Sequence, residues 1–160
     1  MNLDKTQFII DSTLSTTSAE MSQRSITMVP LYISIDAVSY RDMEDLHPET
    51  LYAMMREKKR ALTSQPPVGD FLTVYEKAKA EGKTDCIVFT LDSNLSGTYQ
   101  SAHQAAQLIE GIRVTVIDTG LSSAVCGYQI QRLHEFAKDH TLDELIIEAE
   151  LLFTNTGLAA

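Results

Sequence analysis

The sequence predicts an α/β layered domain, three layers deep, with helices on both faces of a mostly parallel sheet. Three observations carry that reading. Short apolar runs such as Phe8-Ile9-Ile10, Cys86-Ile87-Val88-Phe89 and Val114-Thr115-Val116-Ile117 lack the apolar–polar alternation of a strand with one wet face. Segments with helical spacing lie between them, long enough for crossovers between parallel strands. Each run also ends in polar residues, Asp11-Ser12-Thr13, Ser93 to Thr98, and Asp118-Thr119, at the edge where such sheets bind ligands.

Taken in order, Gln7 to Ile10 is a strand, and Thr17-Ser18-Ala19-Glu20 has capping-box spacing for a short helix behind it. Thr27 to Ile35 reads as one second strand, with Pro30 placing part of it at an edge or bulge. Asp36 to Asp45 reads as a polar connection. A helix follows from Pro48 to about Arg60, its basic Lys58-Lys59-Arg60 end offsetting the helix dipole. Thr63-Ser64-Gln65-Pro66-Pro67 is a loop, because two prolines exclude a continuous helix. Val68 to Glu81 is the next helix, stopped by Gly82. Cys86 to Leu91 is the central strand, and a helix opens after Ser96. Val114 to Ile117 is the fourth strand, Leu121 to Asp139 a helix, and Thr141-Leu142-Asp143-Glu144 caps a last helix running to about Phe153.

The 160 residues are 44% hydrophobic and 22% charged, the composition of a single domain with a proper core. Thirteen Lys and Arg against 22 Asp and Glu give a net charge of -9, which argues against nucleic acid or an anionic membrane as partner. No signal peptide or membrane-inserting helix can be drawn, which points to the cytoplasm. Cys86 and Cys126 fall in a strand and a helix, and read as buried free thiols.

The stretch Leu95-Ser96-Gly97-Thr98 sits where a strand hands over to a helix. Ser96 suits an N-cap, Gly97 admits close approach to the backbone, and the first NH groups of the helix face outward with the positive end of its dipole. That chemistry suits a carboxylate or a phosphate; a plain cap and turn accounts for the same residues. A serine hydrolase built on Ser96 with His103 or His134 and Asp118 is the rival, but there is no Gly-x-Ser-x-Gly elbow. His103 also lies about two turns further along the helix. The histidines and cysteines lack metal-ligand spacing.

Asp11-Ser12-Thr13, Thr63-Ser64-Gln65-Pro66, Leu95 to Ala102 and Val116-Ile117-Asp118-Thr119, in this order, resemble the amino-terminal domain of the DegV family of bacterial fatty-acid-binding proteins. The similarity runs from about Phe8 to Phe153. It implies a carrier with no chemistry of its own and no cofactor, holding a long-chain fatty acid such as palmitate or oleate and presenting it to an acyl kinase. On the matching positions, Thr63 and Ser96 would hold the carboxylate, with Ser64, Gly97 and Thr98 beside them. Asp11, Ser12, Asp118 and Ser123 would shape the pocket floor. Leu51, Met54, Met55, Phe71, Leu72 and Tyr75 are candidate walls for the acyl tail, and core packing explains them equally well. The family resembles a two-domain clam, so residues 1–160 are expected to be its first domain alone, without the carboxyl-terminal lid. A homodimer is one way to cover the face of Leu142, Leu145, Ile146, Ala149, Leu152 and Phe153. The alternative is a structural or interaction fragment that keeps the loops without the ligand.

Overall fold

A computed structural model describes residues 2–14 and 17–157. Four strands, β1 (Thr6–Asp11), β2 (Ile26–Val29), β6 (Asp85–Thr90) and β7 (Arg113–Asp118), form an all-parallel sheet in the order β2-β1-β6-β7. The side chains of β1 and β6 alternate between two dry faces, as the period of a strand requires. Phe8, Ile10, Ile87 and Phe89 point toward α1 (Ser18–Gln23), α5 (Ala124–Phe136) and α6 (Leu142–Gly157); Ile9, Cys86 and Val88 point toward α3 (Val68–Ala80) and α4 (Thr98–Leu108). Burial on both faces is why these runs read as continuous apolar sequence. Cys86 and Cys126 are free and buried, and burial pushes both thiols up to about 12.

The segment expected as one strand, 27–35, is two. Pro30 ends β2, and the chain swings out of the parallel sheet to form β3 (Tyr32–Ile35), the middle strand of a separate antiparallel sheet between β4 (Val38–Arg41) and β5 (Ala61–Ser64). The expected connection 36–45 contains β4 (Val38–Arg41), joined to β3 by a two-residue hairpin at Asp36 and Ala37. Both turn residues have positive φ, 49° and 67°, the geometry of a hairpin turn usually marked by Asn-Gly or Asp-Gly. Alanine in the second place conceals it.

Helix α2 (Pro48–Arg56) stops four residues short of Arg60 because Lys58 turns left-handed at φ 64°. The expected loop at 63–67 begins instead as strand: β5 (Ala61–Ser64) carries Thr63 and Ser64, paired with Ile33 and Tyr32 of β3. Ile33, Ile35 and Leu46 form a small core of their own under Leu51 and Met54. Helix α5 starts at Ala124 rather than Leu121, behind Ser123 at φ 78°. The two expected capping boxes are present: Thr17 with Glu20, and Thr141 with Glu144.

Candidate functional site

The crossover from β1 through α1 to β2 leaves β1 on one side, while the chain returning through α3 places β6 on the other. Strand order therefore reverses between β1 and β6, and ligands of open α/β sheets bind beyond the carboxyl ends of the strands at such a point. A cleft of about 330 Å³ opens there, lined by Thr13, Leu31, Thr63, Ser64, Gln65, Leu91, Leu95, Ser96 and Gly97. One wall comes from the ends of β1 and β6 and the turn into α4; the facing wall is the end of β5. Four of the five residues expected at the site, Thr63, Ser64, Ser96 and Gly97, meet in this cleft.

Thr98 is fully buried behind it, its hydroxyl 2.9 Å from that of Ser96. Ser96 is not the N-cap. Gly97 holds that position, helix α4 begins at Thr98, and the Thr98 NH donates to Ser96 Oγ at 3.3 Å. The Ser96 hydroxyl is thus oriented by Thr98 at the lip of the cleft, beside first-turn NH groups that have no acceptor within the helix.

Beneath the cleft, Asp11 ties its two strands together. One carboxylate oxygen accepts from the Thr13 NH at 2.9 Å and the Thr13 hydroxyl at 2.6 Å; the other accepts from the Leu91 NH at 2.6 Å. Burial raises the Asp11 pKa against the pull of these bonds. Ser12 extends the floor, accepting from the Leu31 NH at 3.1 Å and donating to Asp42 at 2.7 Å, and the Ser123 NH donates to Thr13 O at 2.9 Å. Asp118 lies elsewhere. It accepts from the NH groups of Ser93 and Gly120, in a neighbouring depression of about 380 Å³ shared with Asp92 and Glu150. That depression is larger, but its three carboxylates repel an anion, whereas every polar lining residue of the 330 Å³ cleft is neutral.

The six candidate tail walls do not line the cleft. Phe71 and Tyr75 are wholly buried under the main sheet, with Leu72 packed against them; the Tyr75 hydroxyl donates to Ala102 O. Leu51 and Met54 cover the small sheet, and Met55 is exposed. The apolar residues at the cleft are instead Leu31, Leu91 and Leu95, of which Leu31 and Leu91 belong to the core beneath α5 and α6. Leu95 falls in the stretch expected to bind the head group and Leu91 just before it, but none of the three was expected to meet the tail, because a single leucine at a strand end has no periodicity to reveal it. Gln65 reads from the sequence as part of a loop and of the Thr63-Ser64-Gln65-Pro66 motif, with no contact of its own expected. The face expected to need a partner is largely covered within the chain: Leu142, Leu145, Ala149 and Phe153 are buried, Ile146 and Leu152 are partly buried against the same core, and Ile147 and Leu151 are the large apolar residues that α6 exposes among the described residues.

The histidines of the rival reading stand apart from Ser96. His103 stacks on Tyr99 and shares a hydrogen bond with Gln107, and His134 lies edge-on to Phe8 at 5.1 Å. Among the described residues, no cluster of His, Cys, Asp or Glu could hold a metal ion, and no helix is long and apolar enough to cross a membrane.

A family model described as uncharacterised protein, DegV family, matches residues 5–156. A DegV domain-containing protein of Staphylococcus aureus strain N315 is 35% identical over 137 residues, covering 86% of this chain and 48% of that protein. A DegV domain-containing 15.5 kDa protein of Staphylococcus aureus is 35% identical over 127 residues, 79% of this chain and 89% of that protein. Among solved structures, a fatty-acid-binding DegV family protein from Thermus thermophilus matches with a TM-score of 0.85 at 32% identity, over 94% of this chain and 54% of that one. The chain spans about half the length of most of the curated relatives it matches, the 15.5 kDa protein being of similar size.

Proposed function

The chain belongs to the DegV family, and from that premise we propose that it binds a long-chain fatty acid, with Thr63 and Ser96 holding the carboxylate. The observation that carries this reading is the cleft at the strand-order reversal. It brings Thr63 and Ser64 within reach of Ser96 and Gly97, more than thirty residues along the chain, in a lining free of both carboxylates and cations. Hydroxyl donors there suit a carboxylate head group, and Thr98 acts as a positioning residue behind Ser96.

Affinity comes from the tail. Burying methylenes contributes about 0.8 kcal/mol each, so a chain of roughly fifteen supplies on the order of 10 kcal/mol before ordering costs. Two hydroxyl hydrogen bonds supply less. The route that the lining supports runs past Leu31 and Leu91 into the core beneath α5 and α6, not along α2 or α3. That core is packed shut, so uptake requires α5 and α6 to part from the sheet.

In this reading the protein is a cytoplasmic carrier rather than a catalyst, and the partner that receives the acyl group is an acyl kinase. The head group lies at an open sheet edge, and a further domain or a second copy closes it. The test is mass spectrometry of lipid extracted from the purified chain, joined to native mass spectrometry and palmitate titration. A stoichiometric long-chain fatty acid is expected. Ser96→Ala with Thr63→Val should weaken palmitate binding about ten- to a hundredfold while leaving circular dichroism unchanged. An empty protein that also refuses added palmitate overturns the reading.

A further inference from the structure

Gly97 has no conformational reason to be glycine. Its φ of −75° and ψ of 9° are open to any residue. The reason is steric: a Cβ at this position would stand 2.4 Å from Gln65 Oε1, 2.6 Å from Nε2 and 2.7 Å from Cδ. The carboxamide of Gln65 is therefore seated on the bare Cα of Gly97, the residue that opens α4, in the cleft that Ser96 also lines. Among the described residues it makes no hydrogen bond, so its NH2 group is open to a ligand. Gln65 reaches this place because β5 ends at Ser64 and Pro66, buried at the next position, turns the chain toward α3.

We propose that Gln65 is a third head-group ligand, its carboxamide NH2 donating to the bound carboxylate, and that Gly97 is the seat that holds it there. This rests on the fatty-acid reading above. The arrangement gives the head group donors from both walls, a hydroxyl from Ser96 and an amide from the β5 side, with no cation to balance its charge. Selectivity for a carboxylate then depends on the polarity of residue 65: an amide donates to it, and a carboxylate in the same place repels it.

The experiment measures binding of palmitate and of hexadecanol, the uncharged alcohol of the same chain length, by competitive native mass spectrometry. Wild type, Ser96→Ala, Gln65→Ala, Gln65→Glu, Gly97→Ala and the Gln65→Ala/Gly97→Ala double variant are compared, with thermal unfolding of each. Gln65→Ala is expected to weaken palmitate about tenfold and hexadecanol less. Gln65→Glu should lose palmitate further yet keep hexadecanol, whose hydroxyl can donate to the new carboxylate. A methyl at 97 displaces the amide, so Gly97→Ala should match Gln65→Ala, and the double variant should be no weaker than either. If wild type binds palmitate and Ser96→Ala weakens it while the Gln65 variants bind as wild type does, this inference fails and the fatty-acid reading stands. It fails in the same way if Gly97→Ala and Gln65→Ala losses simply add. If wild type binds no palmitate, both fail.

Discussion

The parallel sheet and the small antiparallel sheet contribute one wall each to the same cleft, and they are built on different terms. Every residue of β1 is buried, and the sheet has a packed core on both faces. The small sheet rests on Ile33, Ile35 and Leu46, and three of the four residues in each of β4 and β5 are exposed. Ser96 therefore stands on a wall held by the main body of the fold, while Thr63, Ser64 and Gln65 stand on one held by little. A site divided in this way has a fixed reference side and an adjustable side, and local opening is expected to begin at the second.

The largest effect should come from the main core. Phe89→Ala is expected to cost about 3–5 kcal/mol in urea unfolding, because the ring is fully buried between Phe8 and Phe153. Ile35→Ala should cost about 2 kcal/mol, as a small cluster near solvent can close over the gap. Hydrogen exchange sharpens the contrast: amides of β3 and β5 should exchange through openings of lower free energy than those of β1 and β6. Equal protection of the two sheets would break the comparison.

Asp11 comes next, since it fastens the fixed wall. Asp11→Ala removes the carboxylate that accepts from the Thr13 NH, the Thr13 hydroxyl and the Leu91 NH, at a cost of about 2–4 kcal/mol. Palmitate binding should weaken with it, because Thr13 and Leu91 both line the cleft. A variant as stable as wild type would show that the carboxylate contributes nothing net once its burial is counted.

The same division decided what could be read from the sequence. The two central strands of the main body, β1 and β6, announce themselves because burial on both faces leaves an apolar run, and α3 and α6 because their apolar positions recur at helical spacing. The small sheet has no such signature. Its strands are four residues long, β4 is mostly wet, and its hairpin turns at Asp36-Ala37. Pairing with β3, rather than local preference, makes strands of 38–41 and 61–64. Thr63, Ser64, Ser96 and Gly97 were legible because motif resemblance named them together. Gln65 was not, because its position against Gly97 exists only once β5 has been folded beside α4.

A smaller effect tests how the adjustable wall is tethered. Tyr32 on β3 donates its hydroxyl to Asp70 on α3 at 2.9 Å, a bond that spans from the small sheet to the body. Tyr32→Phe removes about 1 kcal/mol. Hydrogen exchange should accelerate in β3, β4 and β5, with little change in β1 or β6. Uniform acceleration across both sheets would mean that they open together and that the tether is not local.

The smallest effect belongs to the body and depends on pH. His134 on α5 is partly buried against Phe8, its Nδ1 has no hydrogen-bond partner, and burial lowers its pKa below the ordinary 6.5; the Glu135 charge and a hydrogen bond to the Arg24 backbone oppose this, and the charges of Arg24 and Lys138 push the same way as burial. The unfolded chain therefore takes up this proton at a higher pH than the folded one. Stability present above pH 6.5 is lost as pH falls through the folded value. Wild type should be less stable at pH 5 than at pH 7.5, and His134→Gln should remove part of that difference, measured as the shift in urea midpoint at each pH. The loss should register in β1 and α5, which His134 touches, before β3 or β5. An unchanged pH slope in the variant would place the acid sensitivity elsewhere, and exchange accelerating first in β3 and β5 at pH 5 would assign it to the small sheet.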